Sequence, residues 1–426
     1  MDQHMYVLKT QRDLKLNVAQ IAAVASTHET RFFFENSQQT TQYFGWQPLT
    51  STTGSFDRVQ AWFTQLTIEG DTEMAAILGG FPFEQEPSDE TGALSNGFFF
   101  LPAVMVQRQA DGRFCISVIQ ETAATAEQML KETLHQLDTA DILLPAQYHM
   151  STETAVAADA WAAGVQETVA EIKRDRTLKK VVLARQLRVT ADRRFAPERV
   201  WLNARQQNPE AYHVLLKVNG TAFISNTPER LIKFDHDQFQ TAAVAGTAPR
   251  GTTKEQDDQL ATQLQRDDKN QREHRYVVDT IAATLRTQQA VVEYDTTPQI
   301  LKNKNVQHLY TPITGTLASN WSPFTLLAAL HPTPALGGVP RNQALRVIGQ
   351  VEHEPRGLFG APIGYLTFHQ TGEFVVGIRS AVLRQASATL FAGAGIVSES
   401  VAETELAETQ LKFKPMLQTL FGEDEK

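Results

Sequence analysis

Cysteine is nearly absent. Cys115 is the only one in 426 residues, which excludes an intrachain disulfide and a cysteine-cluster metal site and fits a reducing compartment. No apolar run reaches the roughly 18 residues that a spanning helix needs. The N-terminal MDQHMYVLKTQRDLKL has no signal-peptide apolar stretch, so a cytoplasmic location without a membrane partner is the expectation. Charge of one sign is missing too: the formal −9 arises from 39 Lys and Arg and 48 Asp and Glu that are interspersed. The sequence therefore carries no nucleic-acid footprint, and a small-molecule partner is expected. Internal repeats and low-complexity segments are also lacking.

What is present is apolar material enough for a large core, 42% of the residues. Residues 1–150 mix runs such as AAILGGFPF and FFFLPAVMVQRQ with Gly, Pro and Ser breaks. This predicts mainly strands joined by loops, without a catalytic motif. A polar, turn-rich stretch, LLPAQYHMSTETA, marks a soft boundary, after which AWAAGVQETVAEIKR has apolar residues at helical spacing. Beyond 155, the runs VVLARQLRVT, AYHVLLKV, TAFISN, APIGYLTFHQ, EFVVGIRSAVL and TLFAGAGIV read as strands in hairpin-like succession. Helical patterns fall near 255–287, 322–330, 341–352 and 401–420. Hairpins interrupted by long helical stretches predict an α+β fold of layered, largely antiparallel sheets with helices packed outside, not βαβ alternation.

Several segments carry chemistry. KKVVLAR puts Lys180 at the mouth of an apolar strand, where desolvation and cationic neighbours lower a lysine pKa toward that of a base. ISNTPERLIKF aims Glu229 out of a polar turn between two apolar runs. TAAVAGTAPRG gathers Gly246, Thr247 and Gly251 around a Pro-Arg turn, offering bare amides and a hydroxyl to an oxyanion. Glu405, Glu408 and Lys412 fall within one side of a helix, and KNQREHRYVVDTI puts Asn270 and Glu273 on one side of another. Magnesium suits carboxylates from two distant helices, because it takes few protein oxygens and keeps waters for substrate. Arg379 closes EFVVGIR with a fork suited to a carboxylate, and TLFAGAGIV brings Gly393 and Gly395 where a ligand can meet backbone. Taken singly, each reads first as a surface charge, a solvated helix face, a salt bridge or a turn.

Taken together and in order, KVVLAR, TPERL, AGTAPRG, KNQREH, LHPTPALGGVP, FGAPIGY, IRSAVL, FAGAGIV and AETQLKF resemble the chorismate-utilising enzymes. That family comprises isochorismate, salicylate, anthranilate and aminodeoxychorismate synthases. The resemblance spans roughly residues 155–422 and implies the family's layered α+β fold, with the 1–150 part woven into it around the 155–422 catalytic region. It implies Lys180 as the base that activates water and Glu229 as the acid for the departing hydroxyl. Glu273 and Glu408 match the acids that bind Mg2+. Arg379, Lys412 and the backbone around Gly395 match positions that hold substrate carboxylates, while Gly246, Thr247 and His331 match positions lining the same pocket.

Within the family, the residues point away from ammonia chemistry. Anthranilate synthases resemble one another in having Gln where this chain has Lys180, and tend to carry Gly-Thr where Pro334 and Ala335 stand; their LLES-like tryptophan-binding motif is not found. Aminodeoxychorismate synthases place a nucleophilic lysine where Ala245 stands. Lys269, Asn270 and Gln271 look more like menaquinone-pathway isochorismate synthases than the siderophore type, which often reads Lys-Asp-Arg there. The resemblance thus implies a reversible, Mg2+-dependent interconversion of chorismate and isochorismate without an obligatory amidotransferase subunit. Two alternatives stay open: a salicylate synthase that goes on to eliminate pyruvate, and a non-catalytic chorismate-binding subunit. Retention of both Lys180 and Glu229 argues against the second, since binding alone does not require a matched base and acid.

Overall fold

The computed structural model describes residues 5–70, 72–84, 94–302, 306–352 and 354–422. Its layering is visible in one strand, Arg31–Glu35, which reads RFFFE and is buried throughout. Successive side chains of a strand face opposite ways, so a strand buried on both faces serves two cores. Phe33 packs with Phe44, Trp46, Trp201 and Leu215, while Phe32 and Phe34 pack with Tyr212, Leu216 and Tyr365. The first core is roofed by the helices Val18–Ser26, Ala123–Thr139, Pro197–Gln207 and Ala402–Phe421. The second lies between this sheet and another.

The first sheet runs, antiparallel at every step, from Arg31–Glu35 through Tyr212–Val218, Thr221–Thr227, Ser380–Arg384 and Ser387–Ile396 to Lys180–Ala191. The second runs from Ala76–Gly80 through Pro362–Thr367, Thr371–Val376, Arg230–Asp235 and Gln238–Pro249 to Val306–Thr316. The long strand Phe98–Arg108 bonds Gln42–Thr52 along one edge and Ala76–Gly80 along the other, and so joins the two. Each sheet therefore mixes strands from both halves of the chain. Among the described residues, no helix is long and apolar enough to cross a membrane.

Two departures from the sequence reading position the site. The strands flanking Glu229 do not form a hairpin: Thr221–Thr227 belongs to the first sheet and Arg230–Asp235 to the second. The turn between them is a crossing from one sheet to the other. Likewise EFVVGIRSAVL is not one strand ending at Arg379. It breaks after Val376, crosses back, and resumes at Ser380, with Arg379 at φ 49° in the left-handed region. The two crossings run side by side, since the Asn226 amide donates to the Arg379 carbonyl at 3.1 Å and the Val376 amide to the Glu229 carbonyl at 3.0 Å.

The helices Pro323–Leu330, Arg341–Val351 and Ala402–Phe421 lie where the periodicity places them. The 255–287 pattern is two helices, Lys254–Arg266 and Asp268–Thr287, broken at extended Asp267. The Asp267 carboxylate accepts from the Asn270 amide at 2.8 Å, so a residue that competes with helix backbone caps the second helix instead. Among the described residues of the first 150 there are also three α-helices that the run-and-break pattern conceals. The longest, Ala123–Thr139, buries only Ala126, Thr133 and Leu137 outright.

Candidate active site

Lys180 opens its strand in a slot made by two glycines. Gly395 lies on the neighbouring strand, and a Cβ there would stand 2.7 Å from Lys180 Cε. On the other side, Gly338 (φ 130°) passes so close that its Cβ would stand 2.2 Å from the Lys180 carbonyl oxygen. Nothing larger than glycine fits either position without displacement. Burial in this slot pushes the Lys180 ammonium pKa down. Glu273 opposes that shift, with its Oε1 4.0 Å from Lys180 Nζ; Lys412 adds to it, and Glu408 and Glu229 oppose it.

Glu229 sits on the first crossing, so its carboxyl enters the site from between the sheets. Burial pushes its pKa up to about 7, against the opposing charges of Lys180 and Arg379. Arg379, on the second crossing, donates from Nη1 to the Lys412 carbonyl at 3.2 Å. Burial lowers its pKa, while Glu408 and Glu229 hold it charged. Lys412, on the C-terminal helix, donates to the Gly393 carbonyl at 2.9 Å and pairs with Glu408 one turn earlier. The helix is itself pinned to the first crossing, since Asn226 Nδ2 donates to Thr419 Oγ1 at 2.9 Å.

Glu273 and Glu408 come from separate helices, are exposed, and both act on Lys180. Among the described residues, no group of three or more His, Cys, Asp and Glu side chains forms a metal cage. Exposed carboxylates from two helices suit a hard cation that completes its shell with water and substrate oxygens, and that chemistry fits Mg2+. Gly246 (φ 75°) forms a bulge in its strand and lies against Asn270, one turn from Glu273.

Thr247 Oγ1 lies 3.0 Å from His308 Nδ1. His308 went unnoticed in the sequence. Burial lowers its pKa, helped by the charges of Arg379 and Lys412, so it faces the same cluster. Only strand register, which sets His308 opposite Thr247, brings it there. His331 goes elsewhere. Its ring is buried, packs near Phe56 and Phe83, and places Nε2 3.0 Å from the Phe83 carbonyl oxygen.

The arrangement thus joins an amine driven toward neutrality, a carboxyl driven toward protonation, two cationic groups suited to carboxylates, and a two-carboxylate rim. Comparison with known proteins gives the family. The family model described as chorismate binding enzyme matches residues 3–421. Isochorismate synthase MenF of Bacillus subtilis is 36% identical over 357 residues, covering 82% of this chain and 75% of that protein. The salicylate biosynthesis isochorismate synthase of Pseudomonas aeruginosa is 34% identical over 356 residues, covering 81% of this chain and 74% of its own. Among solved structures, the menaquinone-specific isochorismate synthase MenF of Escherichia coli superposes with a TM-score of 0.85 at 25% identity, covering 97% of this chain and 94% of that one.

Proposed function

Since the chain belongs to the chorismate-binding enzymes, we propose that it is an isochorismate synthase of the menaquinone-pathway type. The observation that carries this reading is the pairing of Lys180 with Glu229. One basic and one acidic group are each pushed by burial toward the neutral form, the form in which an amine accepts a proton and a carboxyl donates one.

Neutral Lys180 takes a proton from the water that attacks ring carbon 2 of chorismate. As the ring double bonds shift, the carbon 4 hydroxyl departs as water with the proton of Glu229. Substrate and product are isomers, so the enzyme is an isomerase and runs in both directions. Arg379 and Lys412 hold the substrate carboxylates, and Thr247 and His308 line the neighbouring wall. Glu273 and Glu408 would hold Mg2+, which would supply charge neutralisation and orientation to the ring carboxylate.

Purified protein incubated with chorismate and Mg2+, its products separated by chromatography, tests the reading. Isochorismate is expected. Salicylate plus pyruvate as the main product, or anthranilate formed from added ammonium at a rival rate, contradicts it.

A further inference from the structure

The strand Lys180–Ala191 is fully paired along one edge, with Ser387–Ile396. Along its other edge backbone pairing comes from the two ends: Gly338–Val339 covers Lys180 and Val181 and the Val182 amide donates to the Gly337 carbonyl at 3.0 Å, while Met150–Ala155 covers Leu187 to Ala191 and the Val156 amide donates to the Gln186 carbonyl at 3.1 Å. Between these, two side chains meet the strand's polar groups. The Ala184 amide donates to Glu352 Oε1 at 2.7 Å, and Arg356 Nη2 donates to the Val182 carbonyl at 2.7 Å. Arg356 Nη1 also donates to the Leu336 carbonyl at 2.8 Å, and Nε to Glu352 Oε2 at 2.7 Å.

The guanidinium lies over the Phe83 ring, 4.2 Å from its centre. The two side chains are 1% and 8% exposed. A buried ion pair adds little net stability, but with its hydrogen bonds satisfied it fixes geometry. Here one planar fork ties the lysine strand, at Val182, to the segment leading to Gly338, at Leu336.

We propose that Glu352 and Arg356 are positioning residues that stand in for strand pairing at Val182 and Ala184, holding the Lys180 strand against the segment leading to Gly338 and hence the Lys180 amine in its slot over Gly395. The inference rests on the reading of Lys180 as the base.

The test uses Glu352→Gln, which keeps an acceptor for the Ala184 amide, and Arg356→Lys, which keeps the charge but loses the fork. Expected for each is a fall in kcat of roughly 10- to 100-fold, the scale of a misplaced group, with KM for chorismate nearly unchanged. Deuterium exchange of the backbone amides around Lys180–Ala184, read by peptide mass spectrometry, should speed up as the Ala184 amide and the Val182 carbonyl lose their side-chain partners. Glu198→Gln, at the similarly buried Arg31–Glu198 pair, serves as the control that loses stability without either effect. Should a single variant fail to fold, Glu352→Gln with Arg356→Gln, which buries no unpaired charge, gives the same readouts. A folded variant with unaltered kcat and unaltered exchange of that strand overturns the proposal, as does the control reproducing both effects. If the wild type makes no isochorismate, the functional reading fails, while the exchange of the Lys180 strand still decides the positioning role.

Discussion

Lys180, Glu229 and Arg379 stand on strands and sheet crossings, whereas Glu273, Glu408 and Lys412 ride on two helices at the rim. The first group is enclosed on several sides: glycine backbone flanks Lys180, and the paired crossings hold Glu229 and Arg379. The rim acids are exposed. Proton transfer near neutral pH requires pKa values displaced by burial, which only the interior supplies. A cation that arrives with its waters needs the opposite, carboxylates open to solvent. On the function proposed above, proton work falls to the sheets and metal work to the helices.

The largest expected effects break the sheet side. Lys180→Ala and Glu229→Gln should each lower turnover at least about a hundredfold. The loss should be equal for isochorismate formation and consumption, with Mg2+ binding retained; near-normal rates in both directions would remove that residue from the proton path. On the rim, Glu273→Gln and Glu408→Gln should each weaken apparent Mg2+ affinity about tenfold or more, the scale of one lost charge-assisted contact. A magnesium titration of turnover checks this, and full activity in excess chelator sinks it.

Gly395→Ala should cost turnover roughly 3- to 10-fold with little change in thermal midpoint. The added methyl meets the flexible end of Lys180 rather than backbone, so the amine moves and the fold does not. Asp267→Ala should have the smallest effect, about 1 kcal/mol of stability for a lost cap, read by denaturant unfolding, with the pH dependence of turnover unchanged.

How much of this was legible in the chain depended on range. Lys180 at a strand mouth, and Glu408 with Lys412 on one helix face, are local patterns, and the structure places them so. Glu229 between the sheets was not legible. A hairpin and a crossing look alike in TAFISNTPERLIKF and differ only in that Thr221–Thr227 pairs with Ser380–Arg384, far along the chain. His308 was hidden for the same reason. His331 lies in the segment that also brings Gly338 against the Lys180 carbonyl, and its own ring is held at the Phe83 carbonyl. The Asp267 break escaped the helical pattern because Asp267 and Asp268 are both polar and leave the apolar spacing undisturbed.

The enclosure of Glu229 is best tested by stability against pH for the wild type and Glu229→Gln. In the folded protein this carboxyl titrates at about 7, against 4.5 ordinarily. Between these values the folded state holds a proton that the unfolded chain has released, so wild-type stability falls as pH rises through that window. Glutamine mimics the protonated carboxyl at every pH. The two thermal midpoints should therefore agree near pH 4 and separate up to about pH 7, with the variant the more stable at pH 8. Curves that stay parallel from pH 4 to 8 would show that Glu229 ionises freely in the folded protein, and the division between an enclosed floor and an open rim would fall.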